Sequence, residues 1–195
     1  MTSESTSHRT LWIVAPVAIV MVLFLVLLAT RDGGGTGFIS GDIDGQLAPP
    51  IVRTTIDGEP FDLDELRGSF VVVNFFQTSC IPCRQEHPEL VAFQEQYAPT
   101  GVGSVVSIVF DDTEANIRAF FDEFGGDWPI IAEDSLPIAV DYGVPLVPES
   151  AIVAPNGIVI RKLIGGVRKS DIEAVMASWL AEQEQPAGTQ SESSP

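Results

Sequence analysis

The chain has 195 residues, 45% of them hydrophobic, with 27 acidic and 10 basic side chains and a formal net charge of -17 at pH 7. That composition suits one compact domain and excludes a disordered acidic polymer. It also speaks against nucleic acid as a partner, because the densest basic run is only Arg161, Lys162, Arg168 and Lys169. The two cysteines, Cys80 and Cys83, are too few for a multi-disulfide scaffold, so their spacing must carry the meaning.

Residues 1–10 are a short N-terminal segment. Residues 11–30 are a run of 20 residues without a charge, which as a helix would extend roughly 30 Å and match the hydrocarbon thickness of a bilayer. We read it as an uncleaved transmembrane anchor. It exceeds the ~7–15 residue apolar region of a signal peptide, Leu28-Ala29-Thr30 is a poor cleavage site, and it lacks the polar face of a buried core helix. Arg9 before the run and Arg31 after it leave orientation undecided by charge. Residues 31–46 contain Gly33, Gly34, Gly35, Gly37, Gly41 and Gly45 and read as a flexible linker. Residues 47–183 remain for the fold, and 184–195 read as a disordered polar tail.

Within the domain, the runs 51–55 and 60–63 flank Asp57-Gly58, a hairpin signal. Residues 70–75 are an apolar run apart from Asn74, as a buried central strand reads. The spacing predicts a helix over 82–97 with Pro88 inside it as a kink, a strand over 102–110, and a helix over 113–124 capped within Asp111-Asp112-Thr113. A short strand at 130–132 and a helical turn at 136–142 follow. Residues 150–153 and 158–164 form a second hairpin through Pro155-Asn156-Gly157. A last helix over 169–182 carries Ile172, Val175, Met176 and Leu180 as its apolar stripe. Strands alternating with helices, then a hairpin and a helix, indicate an α/β sheet covered on both faces.

Cys80-Ile81-Pro82-Cys83 falls where the apolar strand gives way to a helix. Cys80 is therefore expected at or just before the first helical turn, where the amide dipoles favour a thiolate. Cys83, three residues on, can close a disulfide back onto it, and Pro82 needs no partner for its missing N–H in that turn. This arrangement suits attack by Cys80 and resolution by Cys83. A zinc site would want about four ligands, more than two cysteines and two histidines on opposite sides of the apolar run supply. A purely structural disulfide closing so short a loop would constrain little of the unfolded chain.

The stretch from Gly45 to Tyr97, including Leu66-Arg67-Gly68 and Asn74-Phe75-Phe76-Gln77-Thr78-Ser79-Cys80-Ile81-Pro82-Cys83-Arg84-Gln85-Glu86-His87-Pro88, resembles the membrane-anchored thioredoxin-like reductases of cytochrome c maturation, of the TlpA, ResA and CcmG (DsbE) types. The resemblance continues through Tyr142-Gly143-Val144-Pro145-Leu146-Val147-Pro148-Glu149-Ser150 to Gly165-Gly166. It implies a thioredoxin-like fold, a central mixed sheet with an N-terminal hairpin and a central αβ insertion. It implies no cofactor beyond the dithiol, and an extracytoplasmic domain on a single-pass anchor. The implied substrates are protein disulfides, apocytochrome c haem-site cysteines among them, with electrons returned by a DsbD- or CcdA-type membrane thiol reductant.

By the same resemblance Pro148 matches the cis-proline facing the dithiol, and proline is the residue before which a cis bond is least costly. The Val147 backbone would pair with an extended substrate beside Cys80, and Ile81 and Pro82 are also expected to bind substrate. Glu86 matches a carboxylate that assists proton movement at the second thiol; a solvated first-turn acid is the competing reading. Glu149 matches the Pro-Glu of the CcmG type, where it would tune the cleft, or is a surface charge. The sequence departs from the pattern in having Ser79 where tryptophan is usual and Asn74 at the position of thioredoxin's buried aspartate, which shifts weight onto Glu86. His87 reads as a helix-surface residue.

Two other classes share part of this pattern. A peroxiredoxin would require proline at Val73 and threonine at Gln77, and a Sco-type copper-delivery protein needs a wider cysteine spacing and a histidine beyond His87. A general extracytoplasmic reductase or oxidase stays open beside the cytochrome reading. The absence of histidine between the cysteines points to a potential nearer the ~ -270 mV of thioredoxin than the ~ -120 mV of DsbA.

Overall fold

The computed structural model describes residues 43–184, together with Met21 and Val22. All of the expected anchor over 11–30 except Met21 and Val22, most of the linker over 31–46 and nearly all of the tail over 184–195 lie outside the described residues. Among the described residues no helix is long and apolar enough to cross a membrane.

An antiparallel hairpin of β1 (Val52–Thr54) and β2 (Pro60–Asp62) precedes the main sheet. The sheet contains β3 (Phe70–Phe76), β4 (Gly103–Val109), β5 (Ile130–Ile131), β6 (Glu149–Val153) and β7 (Val159–Ile164), in the spatial order β5-β4-β3-β6-β7. β3 runs parallel to β4 and antiparallel to β6, so the sheet is mixed and β3 is its centre. Within residues 43–184 the α-helices are α1 (Ile81–Tyr97), α2 (Glu114–Phe124), α3 (Ser135–Asp141) and α4 (Lys169–Glu184). This is the expected thioredoxin-like arrangement.

β3 is buried along its whole length, and its period of two sorts its side chains between two cores. Val71, Val73 and Phe75 face Ile138, Ala139 and Tyr142 of the α3 side. Phe70, Val72 and Phe76 face Leu90 and Phe93 of α1, Phe120 of α2, and Ile172 and Met176 of α4. Phe93 is completely buried, and its truncation to alanine would cost about 3–5 kcal/mol.

Several expectations shift in detail. Pro88 sits inside α1 on its exposed face, and the helix continues through it from Ile81 to Tyr97. Thr113 is the α2 cap, its hydroxyl accepting from Asn116 N–H. In α4, Leu180 is 47% exposed; Trp179 takes its place, packing edge-on against Phe70. The folded region also starts before residue 47. Ile43 is in the core, Gly45 N–H donates to the Val159 carbonyl, and Leu47 bridges Ile158, so the end of the expected linker lies along the β7 edge. Gly45, at φ 80°, supplies the left-handed backbone that turns the chain onto that edge. α4 runs to Glu184, the first residue assigned to the tail.

Candidate active site

The site forms where β3 ends and α1 begins. Cys80 is the N-cap of α1, with extended backbone, and its sulfur accepts from Cys83 N–H at 3.2 Å. A donor aimed at that sulfur from the positive end of a helix favours its thiolate when the pair is reduced. Cys80 and Cys83 are joined as a disulfide, their Cα atoms 5.2 Å apart. Cys83 is buried and Cys80 half-exposed, so the sulfur of Cys80 is the one open to an incoming disulfide. Ile81 and Pro82 stand exposed between them.

Across the groove, the loop between α3 and β6 brings up the Val147–Pro148 peptide, which is cis. The Val147 carbonyl oxygen lies 3.9 Å from Cys80 Sγ. Pro148 is buried, and its carbonyl accepts from Gly165 N–H at 2.9 Å, tying the loop to the turn after β7. The next residue of that turn, Gly166, packs against Pro82 and Glu86; a Cβ there would stand 3.7 Å from the Pro82 carbonyl oxygen.

Glu86 is 3% exposed, which removes the solvated first-turn reading. One turn beyond Cys83, it points under the helix toward the sheet. Its Oε1 accepts from Asn74 Nδ2 at 2.8 Å and its Oε2 from Val167 N–H at 3.0 Å, while Asn74 also donates to Ser150 Oγ at 3.1 Å. Burial raises its pKa from 4.5 to about 7, with the bonds from Val167 and Asn74 acting in the opposite direction. A carboxyl group that exchanges its proton near neutrality is thereby fixed beside the dithiol. Asn74 cannot relay a proton; it donates to the Glu86 carboxyl and fixes its orientation.

Glu149 and His87 are not surface residues. Glu149, buried on the α3 side of the sheet, lies with its Oε2 2.9 Å from Lys162 Nζ. His87 is 4% exposed, within 4.7–5.3 Å of the rings of Phe120, Phe121 and Trp128, and its Nε2 donates to the Gly125 carbonyl at 2.8 Å. Burial lowers its pKa, partly offset by the Gly125 bond. The apolar cage that makes His87 a core residue also disfavours its charged form.

Asp112 emerges as a further site residue. Its Oδ2 accepts from Thr78 N–H at 2.8 Å and from the Thr78 hydroxyl, and its Oδ1 from Thr113 N–H and Asn116 Nδ2. Burial opposes ionisation, but the bonds from Thr78, Asn116 and Thr113 outweigh it and hold the pKa below the usual carboxylate range. Gln77 reinforces this latch by donating to the Asp111 carbonyl, and Cys80 N–H donates back to the Gln77 carbonyl. The segment leading into the dithiol is therefore pinned to the loop after β4.

Comparison with known proteins agrees with this geometry. A sequence profile of the Redoxin family matches residues 43–176. The chain belongs to the Redoxin family. It is 33% identical to the thioredoxin-like protein YneN of Bacillus subtilis (strain 168), covering 67% of this chain and 76% of that one. It is 29% identical to the thiol-disulfide oxidoreductase ResA of Bacillus thuringiensis (strain Al Hakam), covering 68% and 76%. Among solved structures, it is similar to a thiol:disulfide interchange protein of the thioredoxin family from Chlorobium tepidum TLS, with a TM-score of 0.62 and 27% identity over 71% of this chain and 98% of that one. The protein is thus a thiol-disulfide oxidoreductase of the TlpA/ResA/CcmG type. Its redox couple is the Cys80–Cys83 pair, and its substrates are protein disulfides.

Proposed function

We propose that this redoxin is a membrane-anchored, extracytoplasmic reductase that acts on the haem-site cysteines of apocytochrome c. The carrying observation is the stacking of three features at one helix end: the capped sulfur of Cys80, the Val147–Pro148 edge across from it, and the buried Glu86 beneath. Relatives named thiol-disulfide oxidoreductase ResA support the exchange chemistry, and the uncharged run over 11–30 supports the anchor. A dithiol tethered to a bilayer is most useful where disulfides form, which supports the extracytoplasmic side.

In this reading the client lies extended along the Val147 backbone, and the Cys80 thiolate attacks one sulfur of its disulfide. A Cys80–client bond forms, the client S–S bond breaks, and the other client sulfur leaves as a thiolate. Glu86 takes the proton from the Cys83 thiol. Cys83 then attacks Cys80 Sγ, which expels the second client sulfur and closes the Cys80–Cys83 disulfide. Two electrons have passed to the client, whose thiolates take up protons according to the pH. A membrane thiol reductant of the DsbD or CcdA type restores the dithiol.

The test is capture. A Cys83→Ser variant cannot resolve the mixed disulfide, so clients remain bound to Cys80 and can be identified from cells. Recovery of apocytochrome c is the expected result. Recovery of many unrelated secreted proteins would replace this client with a broad reductase role, and capture of nothing by Cys80 would remove the mechanism.

A further inference from the structure

The loop that presents Val147 and Pro148 is held at both ends by one buried amine. Lys162 lies in β7 with its side chain 6% exposed. Its Nζ donates to the Gly143 carbonyl, where the chain leaves α3, and reaches the carboxylate of Glu149, where the chain enters β6. Register explains the meeting. Lys162 pairs with Ala151, two residues from Glu149 and on the same face of β6, so the amine lies diagonally across from the carboxylate. The 2.9 Å approach to Glu149 Oε2 lacks hydrogen-bond direction and acts as charge on charge.

Stability alone does not account for this arrangement. Removing two charges from water costs nearly as much as their attraction returns, and an apolar pair would fill the same space. An ammonium does have one capacity an aliphatic side chain lacks: from one compact centre it donates to a carbonyl and attracts a carboxylate by charge, so it can hold the two together. The atoms it holds bracket the segment whose Val147 carbonyl stands 3.9 Å from Cys80 Sγ. Gly165 N–H, on the Pro148 carbonyl, fixes the middle.

We propose that Lys162 is a positioning residue for client docking: by tying Gly143 to Glu149 it sets the distance and direction of the Val147 edge relative to Cys80. It touches neither reacting sulfur. The inference rests on the reading of that edge as the place where a client strand lies, and it makes Lys162 a determinant of protein-substrate affinity rather than of thiol reactivity.

The experiment compares the full-length chain with Lys162→Met and with the double variant Glu149→Leu/Lys162→Met on two disulfides. Insulin must lie along the Val147 edge to be reduced, whereas 5,5'-dithiobis(2-nitrobenzoic acid) is small enough to reach Cys80 without doing so. Lys162→Met is expected to raise the KM for insulin about tenfold, the size of one lost charge-assisted bond, while kcat and the rate with the small disulfide stay within about twofold. The double variant, which leaves no buried carboxylate without its counterion, recovers the urea midpoint but keeps the raised KM. If Lys162→Met does not fold, the double variant alone decides. An insulin KM at the parental value in the double variant would overturn the proposal, as would a parallel fall in both rates. A parental protein that reacts with the small disulfide but never reduces insulin would instead overturn the docking reading on which the proposal rests.

Discussion

Replacing Glu86 with glutamine tests whether the buried carboxyl titrates where the chemistry needs it. Burial moves its pKa from 4.5 to about 7. At ~1.36 kcal/mol for each unit, that shift corresponds to about 3 kcal/mol. The folded protein holds this proton more tightly than the unfolded chain. The associated stability is therefore complete below the ordinary value of 4.5 and is lost as the pH climbs to about 7. Glutamine cannot ionise, so Glu86→Gln lacks that loss. Exchanging the protonated carboxyl for an amide also disturbs the contacts with Asn74 and Val167, which costs about 1–3 kcal/mol. That cost is the same at every pH and cancels when two pH values are compared. Urea unfolding of the oxidised protein at about pH 4.5 and pH 8 should show the difference between parent and variant moving by about 3 kcal/mol in the variant's favour at the higher pH. In the reduced protein, resolution of the mixed disulfide by Cys83 should rise through about pH 7 in the parent. In the variant it should slow about a hundredfold at neutral pH and lose the rise through about pH 7. A stability difference that stays constant within ~0.5 kcal/mol between the two pH values would refute the reasoning.

The neighbouring His87 should show the opposite slope. Its pKa lies below 6.5 in the folded state because of burial, so the stability it contributes is present above 6.5 and lost as the pH falls through the lowered value; a His87→Phe variant should lack that acid-side loss in urea titrations. Asp112→Ala should destabilise the protein by about 1–3 kcal/mol by freeing the donors of Thr78, Thr113 and Asn116. It should also change the pH dependence of Cys80 alkylation, since the segment before Cys80 loses its anchor; an unchanged alkylation profile would restrict Asp112 to a structural part. Equilibration of the dithiol with glutathione should give a potential nearer ~ -270 mV than ~ -120 mV, and a value at the oxidising end would reverse the direction of the proposed reaction.

Local patterns carried much of this protein. The apolar run at 70–75, interrupted only by Asn74, the change of period at the Cys80-Ile81-Pro82-Cys83 junction and the Asn156-Gly157 turn depend on neighbours in the chain, so they can be read one segment at a time. Asn74 was a readable clue whose partner was not: a polar residue inside the β3 run must be buried and therefore bonded, but nothing local says to what. Its partners are Glu86 and Ser150, 12 and 76 residues away, and the donor completing the Glu86 site is Val167, 81 residues beyond Glu86. The same holds for the cage around His87 and the grip of Lys162 on Gly143 and Glu149. Helical and strand periods tell which way a side chain points; only the packed chain decides what covers it. Whether water is excluded there sets the pKa of Glu86, turns His87 from an expected surface residue into an interior one and removes the surface-charge reading of Glu149.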